Sequence, residues 1–249
     1  MSVRDWDAAT YERVSEPQLA WGIEVLDRLD LTGTETVLDV GCGTGRVTAL
    51  LADRLAHGRV IALDAAPSMA AAAEAALGKR ATVVCADALE LELEEPLDVV
   101  FSTATFHWIL DHQQLFRRLA ILLRPGGRLV AQCGGAGNVT AFNAAAGRVM
   151  ARNAYGSHFT DWKQTWHFAS PEDTQALLRA AGFAEARCWL SPAPVVPPDP
   201  PAFLRSVCCH PHLECLPAEL HERFVADVLG ELGDPPELDY VRLNIDARR

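Results

Sequence analysis

Three glycines, Gly41, Gly43 and Gly45, alternate with other residues directly after the apolar run 36–40. Glycine lacks a Cβ and adopts positive φ, so a loop of this kind lets its backbone approach a ligand closely. A helical pattern starts at Arg46, which places the loop between a strand and a helix. The loop therefore predicts a backbone ledge beneath a cofactor, the alternative being a tight turn that binds nothing.

The spacing of the glycines distinguishes between cofactors. The dinucleotide fingerprint GxGxxG would need its third glycine at position 46, but this chain has Arg46 there and its third glycine at 45. This spacing favours a nucleoside cofactor without a pyrophosphate. Asp64 ends the next apolar run, where a carboxylate can accept hydrogen bonds from both hydroxyls of a ribose. Because NAD and adenosine both contain a ribose, Asp64 leaves the choice of cofactor open.

A second acid, Asp87, follows the third apolar run and precedes Ala88. Its carboxylate could accept a hydrogen bond from an adenine amino group, or it could cap a helix, as acids at strand ends often do. The glycines and the two acids stand at the ends of three successive predicted strands. Open α/β sheets bind ligands at the carboxyl edge of their strands, so we expect one cofactor site at that edge.

The elements that must position these residues alternate between short apolar runs and helical patterns, which is typical of βαβ units and a parallel sheet. Predicted strands cover residues 36–40, 59–64, 81–87, 97–103, 128–133, 183–190 and 238–246. Predicted helices cover residues 46–55, 67–77, 111–123, 170–181, 202–209 and 217–232. Residues 134–168 interrupt this alternation with a glycine-rich and tryptophan-rich insertion, and long insertions in compact folds are usually functional or disordered.

Charge and composition narrow the classes of partner. Acidic residues outnumber basic ones by 33 to 22, which gives a net charge of −11 over 249 residues. A negative surface repels phosphate backbones and anionic lipids, so we expect neither nucleic acid nor a membrane as partner. The charged N-terminal residues lack the apolar run of a signal peptide, and no stretch reaches the length of a membrane span. Together with scattered cysteines, these features predict a cytoplasmic protein.

On these residues the chain resembles the class I S-adenosylmethionine-dependent methyltransferases over residues 35–135. VLDVGCGTG is similar to the first motif of that family, RVIALDAAPSM to the second, CADAL to the third, FSTATFHWI to the fourth, and LLRPGGRLV to the segment entering strand five. The resemblance implies S-adenosylmethionine as cofactor. It adds Asp39, Met69 and Thr103 of these motifs to the cofactor-binding residues, together with Tyr11 in a segment that folds over the cofactor.

The resemblance also implies the fold: α/β and Rossmann-like, with a doubly wound, seven-stranded sheet in three α/β/α layers and an antiparallel last strand. We expect a single domain over 1–249, with N-terminal cap helices at 1–34 and the cofactor-binding core at 35–135. Lid insertions are expected after strands five and six, at 134–168 and 191–235. Within the family, DWDAATY, FHWILDH and the long helix before the last strand most resemble the group of trans-aconitate and malonyl-carrier carboxyl methyltransferases.

The expected function is methylation of a small molecule, with a carboxylate as one candidate acceptor. A hydroxyl or amine acceptor would usually need a base, whereas a carboxylate would not. His107 and His167 are the candidate catalytic residues, either as a base or as a cation that pairs with a substrate carboxylate, and a structural role is the alternative for each. Two other functions stay open: an NAD(P)-dependent oxidoreductase on a similar sheet, and a protein that binds an adenosyl cofactor without catalysis.

Aromatic and basic residues outside the cofactor motifs could hold the methyl acceptor. Phe106, Trp162 and Trp166 could form an apolar wall, and aromatic faces also suit a sulfonium cation. Arg152 could supply a positive charge for an acidic acceptor. Trp108 is expected in the core instead. The sequence does not fix the oligomeric state.

The segment 208–215 contains three cysteines and two histidines, residue types that bind zinc. Their spacing matches no standard structural zinc site, and a proline separates the histidines. The sequence therefore predicts no metal, and we expect this segment to form part of the second lid.

Overall fold

The computed structural model describes residues 5–249, so the first four residues of the expected N-terminal cap lie outside the described part. The strands are β1 (Thr36–Val40), β2 (Arg59–Asp64), β3 (Thr82–Cys85), β4 (Leu97–Thr103), β5 (Leu123–Gly134), β6 (Glu185–Pro192) and β7 (Val241–Arg248). The helices are α1 (Ala8–Val14), α2 (Glu16–Leu26), α3 (Arg46–Asp53), α4 (Pro67–Leu77), α5 (His112–Leu122), α6 (Thr140–Met150), α7 (Pro171–Ala180), α8 (Pro200–Phe203), α9 (His210–Leu213) and α10 (His221–Leu232).

The seven strands form one sheet in the order β3-β2-β1-β4-β5-β7-β6. Strands β1 to β5 pair in parallel, while β7 runs antiparallel to both β5 and β6. Helices cover both faces, which confirms the predicted Rossmann-like architecture and the antiparallel last strand. The chain passes from one half of the sheet to the other between β1 and β4, and ligands bind at such crossover points in open α/β sheets.

The antiparallel direction of β7 has a consequence for the sheet edge. Arg242, near the start of β7, pairs with Gly134 at the end of β5 and with Ser191 near the end of β6. The first residues of β7 therefore lie at the same edge as the carboxyl ends of the parallel strands.

Capping residues set the starts of several helices. The Asp111 side chain accepts a hydrogen bond from the backbone N of Gln114 at 2.8 Å, which starts α5. The Ser170 side chain accepts a hydrogen bond from the backbone N of Asp173 at 3.1 Å, which starts α7. Such caps satisfy backbone donors that have no partner within the helix.

Two regions depart from the expected elements. The predicted helix 202–209 is wrong as a continuous element: α8 ends at Phe203, a π-helical turn follows over Leu204–Cys208, and α9 begins at His210. Strand β5 starts earlier than expected because Gly126, at φ +79, lets the chain turn while pairing begins at Leu123.

The two insertions share a hydrophobic core beside the sheet. Phe142 of α6, Tyr155, Phe203 of α8 and Phe224 of α10 are all fully buried in one cluster. Tyr155 also donates a hydrogen bond to Asp227 of α10 at 2.6 Å. Segments 134–168 and 191–235 thus pack on one another. Among residues 5–249, none of the helices has the length and apolar content that crossing a membrane requires.

Candidate functional site

A cavity of about 670 Å³ opens at the carboxyl edge of the sheet, where the predicted cofactor residues lie. Its volume falls in the range of about 300–1,000 Å³ that is usual for small-molecule sites. The strand ends of β1, β2 and β4 line one side, and segment 163–168 with the start of β7 lines the other. The sheet edge and the insertions therefore enclose one chamber.

The glycines of the loop after β1 have three different roles. Gly43 has φ +56, lines the cavity, and has no heavy atom within 4 Å of where a Cβ would lie. Gly41, at φ +75, also lines the cavity, but a Cβ there would lie 2.0 Å from Thr105 Oγ1. Gly45 lies outside the cavity lining, and a Cβ there would approach Leu77 Cγ at 3.1 Å. Its direct contact with a cofactor is thus not supported, because it packs α3 against α4.

Asp64, at the end of β2, faces the cavity beside Gly43. Its carboxylate accepts hydrogen bonds from the backbone N of Gly43 at 2.8 Å and from that of Ala66 at 2.9 Å. These two bonds fix the carboxylate and leave lone pairs on both oxygens for a ligand. Burial raises the pKa of Asp64 above its usual value, and the two amide donors act against that shift.

Asp87, Ala88 and Met69 line the cavity next to Asp64. Asp87 Oδ1 accepts a hydrogen bond from the backbone N of Leu89 at 2.9 Å, so this acid does cap a turn. The capping bond uses one lone pair and leaves others for a ligand donor. Ala88 and Met69 are 6% and 4% exposed and give this end of the cavity an apolar surface.

Thr103 and Tyr11 complete the lining near the glycine loop, from the end of β4 and from α1. Burial raises the pKa of Tyr11 to about 12, so its hydroxyl stays protonated at neutral pH. Trp6 also lines the cavity and stacks on His210 with ring centroids 4.5 Å apart. The N-terminal segment and the second insertion thereby meet over the cavity.

Asp39, which the family motif places among the cofactor residues, lies outside the cavity lining. It is 2% exposed and accepts a hydrogen bond from Thr48 Oγ1 of α3 at 2.6 Å. Burial raises its pKa to about 7. The expected direct contact is therefore corrected: Asp39 ties β1 to α3 and so supports the glycine loop from behind.

The raised pKa of Asp39 predicts a pH dependence of stability. Between its ordinary value of 3.8 and about 7, the folded protein holds a proton that the unfolded chain has released. The free energy of unfolding therefore falls as pH rises through this window, by up to about 1.4 kcal/mol per pH unit, and levels off above it. Asp39→Asn should remove this slope. Urea unfolding at pH 5.0, 6.0 and 7.5 measures it, and parallel pH profiles for the two proteins would contradict the assignment.

The predicted catalytic histidines are placed differently from each other. His107 lines the cavity, 9% exposed, and its Nδ1 accepts a hydrogen bond from the backbone N of Gly134 at 3.3 Å. In the neutral ring the proton therefore lies on Nε2. Burial lowers the pKa of His107 well below 6.5, which keeps the ring neutral. His167 is exposed outside the cavity lining and stacks on His112 at 4.6 Å, a placement that does not support its predicted catalytic role.

The aromatic wall contains different residues from those expected. Phe106 is 1% exposed and packs against Phe116 in the sheet core, a placement that does not support its assignment to the wall. Trp108, expected in the core, lines the cavity. Phe106 and Trp108 belong to one 3₁₀ turn, Phe106–Trp108, whose successive side chains point about 120° apart. When Phe106 faces the core, Trp108 therefore faces the cavity.

Of the two insertion tryptophans, only Trp166 lies in the cavity lining. Trp162 stacks on His212 at 4.6 Å and contacts Trp166 edge-on with centroids 6.3 Å apart. The assignment of Trp162 to the wall is therefore corrected: it supports the wall from behind.

Arg152 lies on the surface and not in the cavity lining, a placement that does not support its assignment to the substrate site. Its guanidinium pairs with Asp227 of α10 at 3.1 Å and also with Glu231, which joins the two insertions. Gln18 and Arg242 are among the polar residues of the cavity that sequence reasoning missed. Arg242 belongs to a row of polar residues that alternates with apolar ones along β7, a pattern that by itself indicates an exposed strand face.

The cysteine and histidine segment 208–215 spreads its side chains apart. Cys208 lies 3.7 Å from the Tyr240 hydroxyl, while His210 and His212 stack on tryptophans. Over residues 5–249, no group of three or more His, Cys, Asp or Glu side chains is placed to share a metal ion. The segment's side chains contribute to packing around the cavity.

Comparison with known proteins identifies relatives of this chain. A methyltransferase domain model matches residues 38–131. Trans-aconitate 2-methyltransferase of Escherichia coli O1:K1 / APEC is 37% identical over 128 residues, 51% of this chain and 50% of that protein. The chain spans about half the length of the curated trans-aconitate relatives it matches. An uncharacterized methyltransferase of Schizosaccharomyces pombe is 32% identical over 188 residues, 72% of this chain and 70% of that protein.

Solved structures share the fold. The YcgJ protein from Bacillus subtilis has a TM-score of 0.65 at 15% identity, over 94% of this chain and 98% of that one. Haemonchus contortus phosphoethanolamine N-methyltransferase 2, in complex with S-adenosyl-L-methionine, has a TM-score of 0.64 at 19% identity, over 97% of this chain and 56% of that one. Identities this low support the architecture alone. The sequence matches above show that the chain belongs to the class I S-adenosylmethionine-dependent methyltransferase family, whose cofactor is S-adenosylmethionine.

Proposed function

We propose that the protein transfers a methyl group from S-adenosylmethionine to a small molecule enclosed in the cavity. The observation that carries this proposal is that the glycine loop and Asp64 line the same chamber as His107, Trp166 and Arg242. One end thus suits an adenosyl cofactor, and the other leaves room for a second, smaller ligand. The family match removes the nicotinamide alternative and leaves that of binding without catalysis.

The residues at the first end fit the cofactor. The backbone at Gly43 is open to the cavity, and Asp64 keeps lone pairs for the two ribose hydroxyls. Asp87 can accept from the adenine amino group, while Met69 and Ala88 offer it an apolar surface. When bound, S-adenosylmethionine supplies a methyl group activated by a sulfonium. The protein's task is then to hold the acceptor and exclude water.

We further propose a carboxylate oxygen as the acceptor atom. A carboxylate attacks without losing a proton, whereas a hydroxyl or amine usually needs a base. His107 is poorly suited to accept that proton, because its Nδ1 is occupied by the Gly134 amide and its Nε2 carries the proton. The names of the trans-aconitate relatives also support an acidic substrate. Segments 134–168 and 191–235 would act as the lid of a single domain. The net charge of −11 argues against a nucleic acid partner, and the proposed enzyme is cytoplasmic.

Product analysis tests both the methyl transfer and the identity of the acceptor atom. The protein is incubated with S-adenosylmethionine and trans-aconitate, and then with a metabolite extract, while mass spectrometry follows S-adenosylhomocysteine and methylated products. We expect a methyl ester that mild alkali cleaves. An ether or N-methyl product would contradict the carboxylate as acceptor and would still support methyl transfer. Tight S-adenosylhomocysteine binding without methylation of any acceptor would instead indicate a protein that binds the cofactor without catalysis. NADH serves as the control ligand and should not bind.

A further inference from the structure

Arg242 is a buried cation without a buried anion beside it. The residue is 3% exposed, and no carboxylate among residues 5–249 lies within ion-pair distance of its guanidinium. The groups that most affect its pKa besides burial are Cys133, Tyr240 and Tyr11, all uncharged at neutral pH. Isolated buried charges are costly, so such a group is usually paired or binds a ligand.

The hydrogen bonds of Arg242 are incomplete. Its Nε donates to Gln132 Oε1 at 3.3 Å, and its guanidinium lies over the Trp21 ring at 4.5 Å from the centroid. Its Nη2 is buried and has no partner. The stacking and the single bond position the guanidinium and leave its donors available for a planar acceptor such as a carboxylate.

Other donors share this end of the cavity. Trp166 Nε1 is also buried without a hydrogen-bond partner, and Trp166 lines the cavity. His107 carries its proton on Nε2, as its bond from Gly134 requires. Asp64 and Asp87, by contrast, lie at the opposite end. The two acids therefore lie toward the half of the sheet that carries the glycine loop, while the unpartnered donors of Arg242 and Trp166 can serve an acceptor-rich ligand.

The sheet order separates the two ends. Going from β1 to β7 crosses β4 and β5, which makes three strand spacings. At about 4.8 Å per spacing, Arg242 lies about 14 Å across the sheet from the glycine loop. This places it on the acceptor side of the chamber.

We propose that Arg242 anchors a carboxylate of the acceptor that is distinct from the group receiving the methyl, so that the substrates are dicarboxylic or tricarboxylic acids. The proposal rests on the function proposed above. A guanidinium bonded to a carboxylate stabilises its negative charge, which would make the anchored group a poor nucleophile. The anchored carboxylate thus binds and orients, while a second one is free to react.

Binding of defined acids tests the anchor. The probes are propane-1,2,3-tricarboxylate and its neutral trimethyl ester, titrated by calorimetry into the protein saturated with S-adenosylhomocysteine. Arg242→Met should weaken tricarboxylate binding at least tenfold, and Arg242→Lys should weaken it less, because lysine keeps the charge and loses the planar fork. The ester should bind weakly to all three proteins.

Two control variants locate the effect. Arg242 also borders a second cavity of about 480 Å³ beside Arg28, so Arg28→Met tests whether the acid binds there instead. Arg152→Gln removes an exposed arginine and tests for a general effect of charge. Both controls should bind the tricarboxylate like the wild type.

Further measurements separate this proposal from a structural or cofactor role. The melting temperature of Arg242→Met should be unchanged or raised, since an unpaired buried charge is lost. Affinities for S-adenosylhomocysteine and for 5′-methylthioadenosine, which lacks the amino-acid carboxylate, should both stay unchanged. A selective loss of S-adenosylhomocysteine affinity would instead assign Arg242 to the cofactor and overturn the proposal.

The remaining outcomes are equally decisive. Failure of the wild type to bind the tricarboxylate, or equal binding by Arg242→Met, overturns the anchor even if methyl transfer is observed. Loss of binding in Arg28→Met alone also overturns it. Conversely, Arg242-dependent acid binding without any methyl transfer would support the anchor and contradict the proposed function.

Discussion

Gly43→Val is expected to reduce the affinity for S-adenosylhomocysteine by at least about hundredfold while the protein still folds. A Cβ at this position has no other heavy atom within 4 Å, and Gly43 lines the cavity, so the valine side chain would occupy the space of the cofactor. The positive φ of +56 adds a backbone cost of about 1–2 kcal/mol to folding. Calorimetric titration measures the affinity, and thermal unfolding measures the folding cost.

Gly182→Val is the matched control for this variant. Gly182 also has a positive φ, +100, and open space around its would-be Cβ, but it lies after α7 outside the cavity lining. It should lose stability and keep the affinity. Gly41→Val is a poor test, because its Cβ would collide with Thr105 and damage the fold. Wild-type affinity in folded Gly43→Val would show that the ledge lies elsewhere.

Asp64→Asn should weaken S-adenosylhomocysteine binding by about ten- to hundredfold. The asparagine keeps the shape and one acceptor oxygen, but it loses the charge and puts an NH₂ group where an acceptor oxygen stood. Hydrogen bonds to a charged group contribute about 1.5–3 kcal/mol, which corresponds to that loss in affinity. The same calorimetric titration measures it.

Asp98→Asn provides the comparison for Asp64. Asp98 also accepts a backbone hydrogen bond, from the N of Thr36 at 2.7 Å, but it lies near the start of β4 and outside the cavity lining. Its substitution should lower stability and leave the affinity unchanged. If both variants bind equally well, Asp64 does not hold the ribose.

The cofactor end was predictable because its residues follow strand ends directly. Gly41, Gly43, Asp64 and Asp87 each stand within three residues of a strand end, and the parallel arrangement brings those ends to one edge. Local sequence was enough to locate them. It did not separate Asp39 from the cavity, because the family motif names residues without stating which way each side chain points.

The acceptor end depended on packing that no short pattern records. Phe106 and Trp108 exchange places because a single 3₁₀ turn decides which of them faces the core. Arg152 and Arg242 exchange roles for a similar reason. Arg152 meets acidic partners on α10, which is distant in sequence, whereas Arg242 reaches the cavity because β7 enters the sheet antiparallel.

The position of β7 also affects the order in which the protein folds during translation. Strand β6 pairs with β7 alone, and β7 is the last strand in the chain. A chain emerging from the ribosome folds from its N-terminus, so β6 must wait as an unpaired strand until residues 241–248 arrive. The strands that carry the glycine loop and Asp64 need no such delay. During translation, the cofactor half of the cavity can therefore assemble before the half that contains Arg242.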